Sequence, residues 1–239
     1  MVTLTSDFGD GSPYVAAMKA VLFASCPKAI LVDVGHSVPA FDVISGAFVL
    51  WAGTRHFRPG AVHLAVVDPG VGTQRRAVAF SLEGSWYVGP DNGIFGMLLA
   101  EKPPDADLVA VALARPAGAS PTFDGRDVFA PAAAALASGQ PLESLGKPWE
   151  RSLTRLPLNL PAVLWVDRFG NLITSLRPPV SGVRVNGREV RKMVRTFSDA
   201  APHVPFLYVG SMGFVEVGVF RGRADWMLGA SVGTPVDPL

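Results

Sequence analysis

The chain has 239 residues, 49% hydrophobic and only 17% charged, where about 25% charged is usual; that suits one large domain or two small ones, with much surface to bury in a core or between subunits. The net charge of +1 offers no bulk attraction for nucleic acid, and the single cysteine, Cys26, excludes an internal disulfide or a cysteine-based metal cluster. The start lacks the basic and apolar regions of a signal peptide and no apolar run approaches the ~18 residues of a bilayer span, so a cytoplasmic protein with no membrane partner is expected.

Strand and helix signals alternate at first. Val2–Ser6 reads as a short strand and Tyr14–Cys26 as a helix, closed by Pro27. Ala29–Val34 is a second strand. Asp42–Phe57 is a second helix, with Asp42 as its N-cap and Pro59-Gly60 beyond its end. Val62–Val67 is the third strand. Ala77–Leu82 and Trp86–Val88 form a hairpin around Glu83-Gly84-Ser85, Asn92–Lys102 a third helix, and Leu108–Ala114 another strand. Asp127–Ala137 is an Ala-rich helix with Asp127 as N-cap and Pro131 in its early turns. This alternation predicts an α/β domain with a mainly parallel sheet covered by helices.

The pattern then changes. Pro148, Pro157 and Pro161 punctuate a stretch without helical periodicity, read as a linker. Short strands follow at Ala162–Val166, Leu172–Ser175, Val183–Val185, Arg188–Val190, Leu207–Val209 and Phe214–Val219, with Asn186-Gly187 a strong hairpin signal. They predict a smaller all-β domain, a barrel or a sandwich. The expected division is residues 1–157 and 158–239.

Val67-Asp68-Pro69-Gly70-Val71-Gly72-Thr73-Gln74-Arg75-Arg76 sets an acid and two arginines around a glycine loop at the end of a buried strand. Open α/β sheets bind ligands at such strand ends, and structural ion pairs also form there. Ser6–Tyr14 offers carboxylates and helix-end amides to a ligand, or an Asx turn and a cap. Asp124 and Arg126, in Thr122–Asp127, face a cleft or water. Asp167-Arg168-Phe169-Gly170-Asn171 is a hairpin loop or a planar recognition site, with Phe169 stacking and Asn171 bonding a base edge. The four histidines lack metal-ligand spacing, and His63 on an apolar strand reads as a core residue, so no metal is expected. No G-x-G-x-x-G loop follows the first strand, which argues against a methyltransferase.

Together with Asp33–Val43, Val88–Phe95 and Gly210–Glu216, these segments resemble in order the S-adenosyl-L-methionine (SAM) hydroxide adenosyltransferases, or SAM hydrolases, relatives of bacterial fluorinase and chlorinase. The resemblance implies an N-terminal α/β catalytic domain, a C-terminal β-barrel, and a homotrimer with its active site between subunits. It implies hydrolysis of SAM to adenosine and L-methionine, with SAM as substrate and no cofactor. Asp68 and Arg75 match two members of a catalytic Asp-Arg-His triad. The third stands in Thr-Phe-His-Gly-Arg-Asp, which here has Asp124 for His. Ser12 replaces the aspartate expected to hold the ribose hydroxyls, and Asp10 is nearby. Asp167 matches a methionine-amino contact, Phe169 and Asn171 adenine contacts, Ser211 a contact to the methionine end, and Phe41 a pocket aromatic. Halogenating relatives carry Tyr at the position of Asp68 and Thr at that of Val71.

The chemistry so implied is displacement at the ribose C5′. The leaving group is a neutral thioether, so the work lies in aligning water and taking its proton. Asp68 orients the water or accepts the proton, Arg75 stabilises developing hydroxide, and Asp124 acts as proton acceptor or water ligand, with Arg75 and Arg126 opposing the repulsion between carboxylates. The other expectation is a protein that binds SAM or adenosine with little turnover.

Overall fold

In the computed structural model, which describes residues 1–102 and 108–239, the early apolar runs become β1 (Val2–Ser6), β2 (Leu31–Gly35) and β3 (Val62–Val66). β1 lies between β2 and β3 and pairs in parallel with both. β4 (Ala77–Leu82) and β5 (Ser85–Pro90) form the hairpin, turning at Glu83-Gly84 with positive φ at both. β5 adds in parallel to β3, while β6 (Leu108–Leu113) and β7 (Gly146–Pro148) extend the far side. The order is β2-β1-β3-β5-β4-β6-β7, parallel across the first four strands and antiparallel across the rest.

Alternation along β1 splits the core in two. Val2 and Leu4 face a buried cluster containing Met18, Leu22, Phe129 and Ala133. These come from α1 (Pro13–Ser25) and from the segment leading into α4 (Ala130–Ala137), and the two helices pack together. Buried Thr3, by contrast, bonds buried His63 through Nδ1 at 2.8 Å. α2 (Val43–Thr54) packs on β1, β2 and the short α3 (Gly96–Ala100). Ser12 caps α1 and Asp42 caps α2.

Three expectations need correction. The helix expected over Asn92–Lys102 is only Gly96–Ala100, because Asn92 donates to the Val67 carbonyl at 2.9 Å and accepts from the Ile94 amide, holding a turn open. Asp127 is no N-cap: a π-helical turn, Gly125–Phe129, starts the helix earlier. Asp127 instead accepts from the Ser120 amide at 2.7 Å and pairs with Arg126. Pro148, read as linker, ends β7, an edge strand where its missing donor does no harm.

The chain separates into two compact units, residues 1–156 and 157–239. In the second, β8 (Val163–Val166), β9 (Leu172–Thr174), β12 (Pro205–Val209) and β13 (Val215–Val219) form one antiparallel sheet, ordered β12-β13-β9-β8. β10 (Val183–Val185), β11 (Arg188–Val190) and β14 (Val236–Pro238) form another, ordered β11-β10-β14. Asn186-Gly187 turns the β10–β11 hairpin, both residues at positive φ. The bridges Ala162–Pro235 and Met193–Leu207 tie the ends of one sheet to those of the other. Val163, Leu172, Val183, Val217 and Val236 meet in one core with the short helix α5 (Ala224–Leu228). No helix among the described residues is long and apolar enough to cross a membrane.

Candidate active site

Asp68 emerges just beyond β3, at the carboxyl end of the parallel strands. The loop then doubles back: the Val71 amide donates to the Asp68 carbonyl, and the Thr73 hydroxyl to the Gly70 carbonyl at 2.7 Å. Gly72 adopts φ +77°, and a Cβ there would lie 2.6 Å from the Pro121 carbonyl oxygen. A glycine therefore lets this loop lie against the segment that delivers Asp124. The reversal returns Arg75 to Asp68 in a fork: Nε donates to Oδ1 at 2.8 Å and Nη2 to Oδ2. Such two-point pairing fixes both groups in one plane.

Asp124 immediately precedes the π-helical turn, a device often found at functional sites. Its Oδ2 accepts from Arg75 and its Oδ1 accepts from Arg115 at 2.6 Å. The side chains of Asp68, Asp124 and Arg75 are 5%, 6% and 12% exposed, that of Arg115 37%. Two carboxylates and two guanidinium groups, formally balanced in charge, thus form one chain that is buried except at its Arg115 end. Arg126 is not in it; it pairs with Asp127 and lies over the Phe123 ring.

Burial pushes the Asp68 carboxyl above the ordinary carboxylate range, and the charge of Asp124 adds to the rise that Arg75 only partly offsets. Burial also works against the Arg75 cation, but its two carboxylates outweigh it and hold the guanidinium protonated. The result is a desolvated carboxylate of enhanced basicity on a fixed cation, able to orient a water and take its proton. The carboxylate's remaining lone pairs leave room for that water.

The loops after β1 and β2 meet at the same edge of the sheet. The Gly9 amide donates to the His36 carbonyl at 2.7 Å, and the Phe41 amide to the Asp7 carboxylate at 2.8 Å. Asp10 accepts from the Ser37 hydroxyl. The Ser12 hydroxyl caps α1 by accepting from the Tyr14 amide and keeps its own proton to donate. Phe41 is 71% exposed at φ +66°. That conformation is uncommon for a large side chain, and such strained positions cluster at ligand sites. Phe8, Tyr14 and Phe123 form an aromatic cluster that connects the first loop with the Asp124 segment.

The remaining candidates lie in residues 157–239. A cavity of about 590 Å³ is lined by Asp167, Phe169, Asn171 and Ser211 together with Tyr208 and Glu216, a size suited to a small molecule. Asp167 organises its loop, accepting from the backbone amides of Phe169 and Asn171 and from the Asn171 side chain. Phe169 is 74% exposed. Glu216 is buried and accepts from the Tyr208 hydroxyl at 2.5 Å. Burial pushes the Glu216 carboxyl up, and the charge of Asp167 raises it further. A Cβ at position 210 would overlap the Glu216 carboxylate, so any larger residue there displaces that carboxylate.

Sequence reasoning missed Arg115, Tyr208 and Glu216. A lone acid among the valines of Val215–Val219 was a usable signal for Glu216, since an unpaired charge on a buried strand is rare. No group of three His, Cys, Asp or Glu that could hold a metal occurs among the described residues.

Residues 2–146 match the family model described as the SAM hydroxide adenosyltransferase N-terminal domain, and residues 161–237 match that of the C-terminal domain. The (R)-S-adenosyl-L-methionine hydrolase of Thermus thermophilus is 48% identical, with 98% of each chain covered. The enzyme of that name from Salinispora tropica is 42% identical over 97% of this chain and 95% of its own. The crystal structure of a conserved protein from Thermotoga maritima superposes with a TM-score of 0.88 at 31% identity, covering 100% of this chain and 99% of that one.

Proposed function

The chain belongs to the SAM hydroxide adenosyltransferase family, and from that premise we propose that Asp68, Arg75 and Asp124 hydrolyse SAM to adenosine and L-methionine. The observation that carries the reading is the buried fork of Arg75 on Asp68, closed by Asp124, at the carboxyl end of β3. Water held by Asp68 attacks the ribose C5′. The C5′–S bond breaks, its electron pair goes to the sulfonium sulfur, and methionine leaves as a neutral thioether. The proton of the attacking water passes to Asp68, so no general acid and no cofactor is needed. Opposite charges of nucleophile and sulfonium cancel as they meet, which a desolvated pocket favours. A carboxylate at position 68 repels a halide and thereby selects water.

Asp124 acts through Arg75: its oxygens face guanidinium groups, so it holds the cation in place. Asp10, Ser12 and Phe41 serve the ribose side. Asp167 and Ser211 take the methionine end, and Phe169 and Asn171 the adenine; the cavity they share supports this assignment. The C-terminal unit is a barrel in this reading, which the two bridges between its sheets support. We place the protein in the cytoplasm, where SAM is made, as a homotrimer whose subunits jointly supply the substrate contacts. Light scattering on the purified protein measures the trimer.

Incubation with SAM in ¹⁸O-labelled water tests the activity. Adenosine and methionine appear together, and the label is found on the adenosine 5′-hydroxyl. Label at any other position, or methylthioadenosine as product, rejects in-line attack at C5′. The other reading, binding with little turnover, rests on Asp124 standing where relatives carry His; tight binding of SAM without product would support it.

A further inference from the structure

We propose that Arg115 is a positioning residue of the hydrolytic site, pairing with Asp124 beside Arg75 and so letting a second buried carboxylate stand next to Asp68. The inference rests on the hydrolase reading above. Arg115 lies just past the end of β6, and one of its terminal nitrogens bonds both the Ser120 carbonyl and Asp124 Oδ1. It therefore fixes the start of the segment that carries Asp124 as well as the carboxylate itself. Each oxygen of Asp124 has its own guanidinium: Arg75 on Oδ2, Arg115 on Oδ1.

The charge arithmetic gives Arg115 its function. Asp68 and Asp124 with Arg75 alone carry one surplus negative charge on side chains that are at most 12% exposed. Uncompensated buried charge is strongly unfavourable, and a carboxylate relieves it by taking up a proton. Among the described residues, the cations paired with Asp124 are Arg75 and Arg115. Asp68 and Arg75 belong to the loop after β3, the Phe129 ring lies 5.2 Å from the Arg75 guanidinium carbon, and Arg126 is committed to Asp127. Loss of the Arg115 cation leaves that surplus negative charge beside Asp68 and makes its carboxyl harder to keep ionised. A protonated Asp68 cannot accept the proton of water. Arg115 touches none of the reacting atoms; it acts on the readiness of those that do.

The test is a double-mutant cycle on the full-length protein, with kcat and KM for SAM measured from about pH 5 to pH 9. Arg115→Gln lowers kcat about 10- to 100-fold at neutral pH and moves the acid limb of the profile upward by about one to two pH units, the size of shift one nearby charge produces. KM stays within about threefold, as uniform binding is untouched. Arg115→Lys restores most of the rate by restoring the charge. Adding Asp124→Asn to Arg115→Gln removes the surplus negative charge and returns the acid limb toward its original position. An Arg115→Gln enzyme with unchanged kcat and acid limb overturns the proposal, and so does a double variant whose acid limb stays where that of the single variant lies. Wild-type protein that binds SAM without hydrolysing it refutes the hydrolase reading instead. The pairing is then read from thermal midpoints at pH 7: coupled midpoints in the same cycle support it, and additive ones reject it.

Discussion

Asp68 and Asp124 are held by guanidinium groups; Asp167 and Glu216 are held by neutral donors. In the first region, oxygens of both carboxylates meet Arg75, Arg115 supplies the second cation, and the cluster is complete as it stands. In the second, Asp167 receives backbone amides and the Asn171 amide, and Glu216 receives a phenol. Among the described residues no lysine or arginine forms an ion pair with either, and the nearby Arg223 pairs with Asp225. The difference separates two tasks. A neutral, closed cluster is pre-set to act on a water, because its dipoles need no reorganisation when the reaction occurs. A cavity lined by Asp167, Glu216 and one arginine, Arg221, is completed in the proposed reading by its ligand, and SAM has an ammonium, a carboxylate and a sulfonium, net positive.

This division is broken most directly at Asp68. Asp68→Asn keeps the shape and removes the proton acceptor, so kcat falls about 10²- to 10⁴-fold while KM for SAM holds. A variant that loses affinity but keeps kcat assigns Asp68 to binding and ends the comparison. The folded state raises the Asp68 pKa, so the stability this group gives is fully present below its unfolded pKa and is lost as pH rises through the raised folded value. Asp68→Asn lacks this dependence and also breaks the fork that balances Arg75, so it melts below wild type at neutral pH, and its deficit grows on acidification. Calorimetry across that range reads both statements.

Acid also separates the regions through His63, on the strand that delivers Asp68. Burial lowers the His63 pKa from 6.5 to about 4. Its stabilising share is present above the unfolded value and is lost as pH falls toward about 4, a change of about 3 kcal/mol. Glu216 has the opposite sign: its raised pKa makes acid favourable to the fold around it. Hydrogen exchange corrected for intrinsic rates shows β1 and β3 losing more protection between pH 7 and pH 4.5 than β12 and β13. Equal losses remove the contrast. His63→Gln flattens the acid response of β1 and β3.

The aromatic wall of the cavity is next in size. Phe169→Ala removes an exposed ring whose proposed partner is adenine, and a stacked base is worth about 1–3 kcal/mol. KM for SAM rises about tenfold with kcat little changed. An equal loss for a substrate analogue lacking the base moves the ring's role from adenine to the loop around Asp167.

Much of this arrangement was legible where neighbours in sequence are neighbours in space. Asp68 and Arg75 lie within one glycine-bearing loop, Asp42 caps its own helix, and Asn186-Gly187 turns its own hairpin. Asp127 misled because a capping residue and a residue inside a π-helical turn have the same composition, and only the backbone register separates them. Asn92 misled because its amide is spent on a carbonyl 25 positions earlier. Tyr208 and Glu216 face each other only through the register of β12 on β13, and Arg115 meets Asp124 only because the intervening segment folds back. Register and fold-back are tertiary facts that local patterning does not carry.

The smallest effect tests the charge logic most closely. Glu216→Gln retains an acceptor for the Tyr208 hydroxyl and removes the carboxylate's negative charge. A charge contribution of this kind, partly screened by solvent, is worth on the order of 0.5–1 kcal/mol, so KM for SAM rises about two- to fivefold. The salt response identifies the cause. Attraction between a negative cavity and a cationic ligand weakens as ionic strength rises; wild-type KM therefore climbs with salt, and the Glu216→Gln enzyme climbs less steeply. The same slope in both proteins assigns Glu216 to the support of Tyr208 and leaves Asp167 to meet the ligand's positive charge alone.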